Sequence, residues 1–199
     1  MMGRRIPNGF TLIELVVTVT VLAVLAGLAA PSFIDFMHRN QVASQSNEFL
    51  GTLRLARTTA ITRSVFVSIC PTLDAAVDNP ECAVSSNYAT GYLVYTSTAP
   101  DKAFAAGDEL IKVSQAAPAV SLRAPSANKI LTFSPRGAST SGTLSLLLCA
   151  RRGSEDIGES TLRVSGRRFD IQASGRAGLV ELPTSASSDA AAGYCTPAS

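Results

Sequence analysis

The chain has 199 residues and a mass of 20.7 kDa, which allows one domain with an additional element but not two full domains. Apolar residues make up 46 % and charged residues only 16 %, a composition that excludes disorder throughout and favours a concentrated apolar segment. The 17 basic and 15 acidic residues give a net charge of +2, which is too even to indicate nucleic-acid binding by bulk charge.

Residues 10–30 form an apolar run that contains a single charge, Glu14. As a helix this run would be about 31 Å long, which matches the hydrocarbon thickness of a bilayer. Arg4 and Arg5 precede it without any acidic residue, so this end is expected in the cytoplasm and the rest of the chain is expected to be exported. A signal peptide removed near Ala30 is one interpretation. The length of the run and its internal carboxylate favour a retained helix.

Glu14 needs an ionic partner, because an ionised carboxylate within a membrane segment costs about 2.5 kcal/mol or more at the centre. The apolar run contains no cation of its own. A free amino terminus, created by cleavage directly before Phe10, would supply the missing positive charge.

The string Gly-Phe-Thr-Leu-Ile-Glu at residues 9–14 resembles the cleavage motif of type IV prepilins. The resemblance implies that a prepilin peptidase cuts after Gly9 and that Phe10 becomes an N-methylated first residue. It also implies that Glu14 serves filament assembly by pairing with the amino terminus of an adjacent subunit. The helix-kinking proline of these proteins falls at Pro31.

The same resemblance divides the amino-terminal part of the chain. Residues 1–9 would be the leader peptide, and residues 10–30 the half of a long helix that spans the inner membrane and later forms the filament core. Residues 31–64 would be the amphipathic half of this helix, which we expect to bend near Pro31 and to end at about residue 64.

The amphipathic half carries an apolar stripe at helical spacing, which is expected to cover the core of a following domain. The members of the stripe are Val42, Phe49, Leu53, Ala56 and Ala60. Arg54 and Arg57 fall off this stripe and are expected to form a solvated or partner-facing edge.

The hydrophobic period changes at residue 65, where a β-rich segment begins. Several short strands separated by turn signals predict an α+β fold, in which residues 65–199 form a mainly antiparallel β domain packed on the long helix. The predicted strands are residues 65–70, 91–96, 109–113, 120–123, 130–133, 143–149, 161–164 and 168–172. The Ser/Ala-rich tail from Pro183 is expected to be irregular.

The order of short motifs resembles the GspH/FimT branch of the type IV pilin-like proteins. The matching segments are the arginine-rich helix end at 53–57, a Gly-Tyr strand at 91–95, a Phe-x-Pro-x-Gly turn at 133–137 and a Ser-Gly-Arg element at 174–176. The resemblance implies a minor pilin of the FimT/FimU kind, which assembles with other pilin subunits after anchoring in the inner membrane with its domain in the periplasm. The alternative that it implies is a GspH-like minor pseudopilin of a type II secretion system.

All four cysteines follow the membrane helix, and an exported domain meets an oxidising compartment, so two disulfides are expected. Four cysteines allow three pairings. We favour Cys70–Cys82, which closes a local loop, and Cys149–Cys195, which ties down the tail. Four buried free thiols are the alternative.

Catalysis is not expected, because nucleophilic catalysis needs an aligned base, most often a histidine. The single histidine, His38, lies at the membrane end of the chain beside Arg39. The sequence contains no GxSxG, HExxH, phosphate-loop or dinucleotide motif. We therefore expect no enzyme activity, no metal and no cofactor.

Residues 129–199 carry eight basic and six acidic residues, and seven of the eight are arginines. Arginine makes bidentate contacts with phosphate, and the FimT-like proteins include minor pilins that bind DNA through a Gly-Arg-x-Arg element. The matching residues 175–178 keep Arg176 but lack the second arginine, for which Arg167 and Arg168 could compensate. DNA is therefore a candidate partner of these three arginines; solvated arginines that protect strand edges from aggregation are the alternative.

Overall fold

The computed structural model describes residues 10–125, 130–153 and 155–197, without the side chains of residues 28–31. The chain divides into two compact units, Met1–Met37 and His38–Ser199. The predicted cleavage site at Gly9 lies outside the described residues, as does the rest of the leader. The side chain of Pro31 lies outside them too, so the kink at this position stays a prediction.

The long helix α1 (Leu12–Arg63) begins in the first unit, and it starts two residues later than the sequence analysis predicts. At its start the backbone N–H of Glu14 donates to Thr11 Oγ1 at 3.3 Å, which satisfies one of the free donors of the first turn. By length and hydropathy, no single helix among the described residues qualifies as a membrane span, whereas Leu12–Gly27 and Ser32–Arg63 qualify together as one bent pair.

The second unit contains the β structure. Its strands in chain order are β1 (Phe66–Pro71), β2 (Tyr92–Ser97), β3 (Leu110–Ser114), β4 (Val120–Arg123), β5 (Leu131–Phe133), β6 (Leu144–Ala150), β7 (Arg167–Ile171) and β8 (Ala177–Glu181). They form two four-stranded sheets in the orders β3-β2-β1-β5 and β4-β6-β7-β8. Every pairing between these strands is antiparallel, so the predicted α+β architecture is confirmed.

Phe49 on α1 joins both sheets in one core. Its ring contacts Tyr92 of the first sheet and Phe169 of the second, with ring centroids 5.4 and 5.0 Å apart. It also contacts Tyr88 at 5.9 Å, which belongs to a short 3₁₀ helix (Tyr88–Thr90). These edge-to-face contacts add to the hydrophobic gain from burying the rings.

The predicted apolar stripe of α1 is confirmed, because all five of its members are buried. They are Val42, Phe49, Leu53, Ala56 and Ala60. The prediction for the polar edge of the helix is half wrong: Arg54 is exposed, but Arg57 is half-buried and bonded to two backbone carbonyls of the domain.

Residues 161–164 were predicted to be a strand, and this prediction is wrong. They form a turn closed by hydrogen bonds in both directions between Thr161 and Val164. Leu162 is exposed while Val164 is buried. The apolar and β-branched residues of this segment favour a strand, but the segment does not pair with a neighbouring strand that would bury one of its faces.

The carboxyl-terminal part is more ordered than the sequence analysis predicts. β8 follows the turn at residues 173–176, and the Ala-rich segment α2 (Ser188–Gly193) is a short helix within the predicted irregular tail. Ala191 of α2 is fully buried, and its carbonyl accepts a hydrogen bond from Ser160 N at 3.0 Å. High helix propensity of alanine and this tertiary contact explain the order of the tail.

Candidate functional site

The apolar surface of α1 is the main feature of the first unit. Phe10 and Leu12 are both more than 80 % exposed, and the large apolar side chains that follow up to Leu25 are exposed as well. A continuous apolar surface of this kind is unfavourable in water. It therefore has to be covered by lipid or by other apolar helices.

Glu14 is the only charged residue within this surface. In the described part of the chain its carboxylate has no cationic partner, and its side chain is exposed. The ionic partner that the sequence analysis predicts for Glu14 is therefore not among the described residues.

In the second unit, the end of α1 meets two turns from different sheets at Arg57. Arg57 Nε donates to the carbonyl of Gly137 at 3.0 Å, and Arg57 Nη2 donates to the carbonyl of Ser174 at 3.3 Å. Gly137 lies in the turn after β5, and Ser174 lies in the turn between β7 and β8. One guanidinium group therefore holds the two turns against the helix, and we call this arrangement the arginine clamp.

The two turns touch so closely that each has a glycine at the contact. Gly137 and Gly175 both have a φ of +76°, which favours glycine over any residue with a Cβ. A Cβ on Gly175 would lie 1.8 Å from the carbonyl oxygen of Gly137, and one on Gly137 would lie 2.6 Å from Ile61 Cδ1. The turns can therefore pack only with a glycine at position 175.

The three arginines predicted as DNA contacts differ in whether a carboxylate pairs with them. Arg167 forms an ion pair with Glu181, its neighbour across the β7–β8 hairpin. Arg168 contacts Asp170 on the same strand at 2.9 to 3.1 Å. These two guanidinium groups are already neutralised by carboxylates, whereas Arg176 is exposed and has no carboxylate partner among the described residues.

Two further arginines that the sequence analysis did not propose for DNA share this property. Arg54 and Arg136 are exposed and lack a carboxylate partner within the described ranges. Arg136 precedes Gly137 of the clamp, Arg176 follows Gly175, and Arg54 lies one helical turn before Arg57. We call Arg54, Arg136 and Arg176 the arginine patch. The helical spacing of residues 54 and 57 was visible in the sequence, but the meeting of the two turns was not.

The disulfides of the structure join Cys70 to Cys82 and Cys149 to Cys195, with Cα–Cα distances of 5.5 and 6.1 Å. This is the pairing favoured from the sequence. The second bond lies in a small buried cluster with Leu147, and it fixes the tail that follows α2 onto the second sheet.

Tyr88, Tyr92 and Tyr95 are buried in the domain. Burial raises the pKa of Tyr88 far above its usual range, and burial also raises the pKa values of Tyr92 and Tyr95. The Tyr95 hydroxyl donates to the carbonyl of Lys102 at 2.7 Å, and the Tyr92 hydroxyl lies 3.2 Å from Thr52 Oγ1. Within the described ranges, no group of three His, Cys, Asp or Glu side chains is placed to hold a metal ion.

Comparison with family models identifies two segments. Residues 45–175 match the family described as "Type II transport protein GspH". The matched segment begins within α1 and includes Gly137 and Ser174 of the arginine clamp. Residues 4–30 match the "Prokaryotic N-terminal methylation motif", which includes Phe10 and Glu14.

A curated relative and two solved structures resemble the chain. "Fimbrial protein EcpC" of Eikenella corrodens is 35 % identical over 46 residues, which are 23 % of this chain and only 30 % of the relative. The type IV minor pilin FimU of Pseudomonas aeruginosa has a TM-score of 0.51 and 19 % identity, covering 73 % of this chain and 92 % of FimU. The minor pseudopilin EpsH of Vibrio cholerae has a TM-score of 0.45 and 14 % identity, over 71 % and 97 % of the two chains. The likeness to FimU supports a type IV pilin-like fold.

Proposed function

Because this chain belongs to the GspH family of type II transport proteins, we propose that it is a structural subunit of a type IV pilus, a minor pilin of the FimT/FimU kind that takes part in pilus assembly. The observation that carries this proposal is the match of residues 4–30 to the N-terminal methylation motif, a segment that includes the exposed apolar side chains from Phe10 to Leu25. A subunit with such a helix can be held in a bilayer first and then among the helices of neighbouring subunits.

The proposal gives each part of the chain a place. Residues 1–9 are a leader removed by a prepilin peptidase, residues 10–30 anchor the protein in the inner membrane and later lie in the filament core, and residues 31–64 carry the domain formed by residues 65–199 in the periplasm. The domain has a packing role and no catalytic one.

The family description favours the alternative, a GspH-like minor pseudopilin of a type II secretion system. The two functions differ in the assembly that contains the protein. Surface pili sheared from cells that express a tagged chain contain the protein if it is a minor pilin. Absence of the tag from sheared pili, together with loss of secreted enzymes in a deletion strain, would instead establish the pseudopilin.

We expect the mature protein to begin with N-methylated Phe10. The reason is the methylation motif, since cleavage after Gly9 also supplies the amino group that Glu14 lacks as a partner. Mass spectrometry of the protein purified from membranes measures this directly. A mature chain that starts at Met1, or after Ala30, would contradict the pilin interpretation.

We expect Glu14→Ala to insert into the membrane but to enter filaments at least about tenfold less than the wild type. Insertion becomes easier when a charge is removed from an apolar segment. Assembly loses an ion pair within apolar helices, where leaving one partner unpaired costs about 3–5 kcal/mol. Immunoblots of membranes and of sheared filaments measure both steps.

Thr18→Ala is the matched control for this experiment, because Thr18 lies one helical turn further along and its hydroxyl donates to the carbonyl of Leu15 in its own helix. The control should enter filaments normally. Normal incorporation of Glu14→Ala beside wild-type subunits would show that the carboxylate has no part in subunit register.

DNA binding is a second candidate function. The observation that favours it is the position of Arg176 at the tip of the β7–β8 hairpin, exposed and without a carboxylate partner in the described part of the chain. The ion pairs of Arg167 and Arg168 weaken their part in such a site. Binding would be through backbone phosphates, and therefore independent of sequence and reduced by salt.

A further inference from the structure

The cations of the domain differ in whether a carboxylate of the same chain neutralises them. In the described residues, ion pairs join Arg63 to Glu109, Lys102 to Asp108, Lys112 to Glu48, Arg151 to Asp156, Arg152 to Glu159, Arg167 to Glu181 and Arg168 to Asp170. The three members of the arginine patch have no such partner among those residues. Arg39 and Arg123 also lack a carboxylate partner there, and Arg123 Nη2 donates to the backbone carbonyl of Asp156. The three patch arginines are distinguished by their position in the chain beside Arg57, Gly137 and Gly175 of the arginine clamp.

Arg57 itself is not available to a ligand in the same way. Its Nε and Nη2 atoms are committed to the carbonyls of Gly137 and Ser174. A Cβ built on either Gly137 or Gly175 would come within 3.3 Å of Arg57 Nε, so the guanidinium group lies directly between the two turns. The planar group with several fixed donors can bridge two acceptors in this manner, whereas a lysine ammonium is a point charge on a flexible stem.

We propose that Arg54, Arg136 and Arg176 together bind the phosphate backbone of DNA and that Arg57 is the positioning residue that holds Arg136 and Arg176 side by side. This inference rests on the DNA-binding function proposed above and moves its site away from Arg167 and Arg168. Arg57 acts through the two turns and does not touch the phosphates.

Phosphate is the ligand class that fits this patch. Exposed arginines present planar forks that match phosphate oxygens in bidentate geometry. The patch arginines belong to a helix and two turns and not to a single element that could enter a DNA groove. We therefore expect them to contact phosphates and not the edges of bases. Each phosphate contact on duplex DNA contributes about 0.9 to the slope of log affinity against log salt.

The test is fluorescence anisotropy of a short labelled duplex of mixed sequence, titrated with the full chain in a non-ionic detergent over a salt series. The triple variant Arg54→Ala/Arg136→Ala/Arg176→Ala should lower the salt slope by about 2.7 for three lost contacts. Between about 50 and 200 mM salt, the wild type should accordingly lose about 40-fold more affinity than the triple variant.

A second triple variant, Arg151→Ala/Arg167→Ala/Arg168→Ala, removes the same charge from arginines that already have carboxylate partners. Its slope should remain that of the wild type. An unchanged slope in the patch variant would overturn the inference while DNA binding stands, and a slope lost only in the second variant would restore the site predicted from the sequence. No binding by the wild type at low salt would refute the DNA function itself and leave the filament proposal untouched.

Arg57→Ala tests positioning. If Arg57 holds the turns, its removal should lower the slope by up to about 1.8, because Arg136 and Arg176 lose their placement while Arg54 keeps its own. A merely stabilising role would lower the unfolding midpoint without changing the slope of the folded protein, and that result would overturn the positioning role. If Arg57→Ala fails to fold, Arg57→Lys, which retains the charge, takes its place. It should also lower the salt slope.

Discussion

Gly175→Ala is expected to destabilise the domain by about 2.5–5 kcal/mol. About 1–2 kcal/mol of this comes from placing a residue with a Cβ in the left-handed region, since Gly175 has a φ of +76°. The rest comes from the carbonyl of Gly137, which the new Cβ would meet at 1.8 Å. The two turns must therefore move apart, and Arg57 can then no longer bond to both of them. Losing one hydrogen bond from this charged side chain costs about 1.5–3 kcal/mol.

Gly142→Ala is the matched control, because Gly142 has nearly the same φ of +73° but no heavy atom within 4 Å of a built Cβ. It should cost only the conformational part, about 1–2 kcal/mol. Urea unfolding followed by tyrosine fluorescence measures both variants, since all four tyrosines follow residue 87 and report on the domain. Equal destabilisation by the two variants would show that the contact between the turns is not restrictive.

The amino-terminal helix and most of the β structure could be predicted because their signals are local. The stripe from Val42 to Ala60 follows the helical period, and the segment 65–70 has the β-branched and apolar composition of a buried strand. β8 was not predicted, because Ala177 and Gly178 weaken its strand pattern and only its pairing with β7 stabilises it. Residues 161–164 show the converse case: their composition favours a strand, but in the described structure only Thr161 forms a β-bridge, with Ser185.

The error in β8 also explains an error in the candidate site. Glu181 becomes the neighbour of Arg167 only when β8 folds back on β7, so without β8 the arginine looks free. Asp170, by contrast, stands two residues from Arg168 on the same face of one strand, and that neutralisation could have been expected. In the arginine clamp, Arg57 is separated along the chain from Gly137 by 80 positions and from Ser174 by 117 positions. No local sequence pattern specifies contacts over such separations.

Removing the Cys149–Cys195 disulfide by Cys149→Ala/Cys195→Ala should lower the free energy of unfolding more than removing Cys70–Cys82 in the same manner. The two bonds close segments of 46 and 12 residues. Chain-entropy arguments then give about 4 kcal/mol for the first and about 3 kcal/mol for the second. Alanine is the replacement of choice, since Cys149 and Cys195 are buried and a serine hydroxyl there would need a hydrogen-bond partner.

The difference should be largest in the tail, because Cys195 directly follows α2 and a chain end frays unless it is tied down. When the second bond is absent, hydrogen exchange should therefore show loss of protection at Ala191 and Tyr194, whose N–H groups are hydrogen-bonded in the structure. The Cys70→Ala/Cys82→Ala variant is the control, since the missing bond joins β1 to the loop that follows it and its removal should leave α2 protected. Peptide mapping without reduction must first find the two pairs in the wild type. Retained protection of α2 without its disulfide would mean that the hydrogen bonds of Ser160 with Pro183, Ser185 and Ala191 suffice to hold the tail.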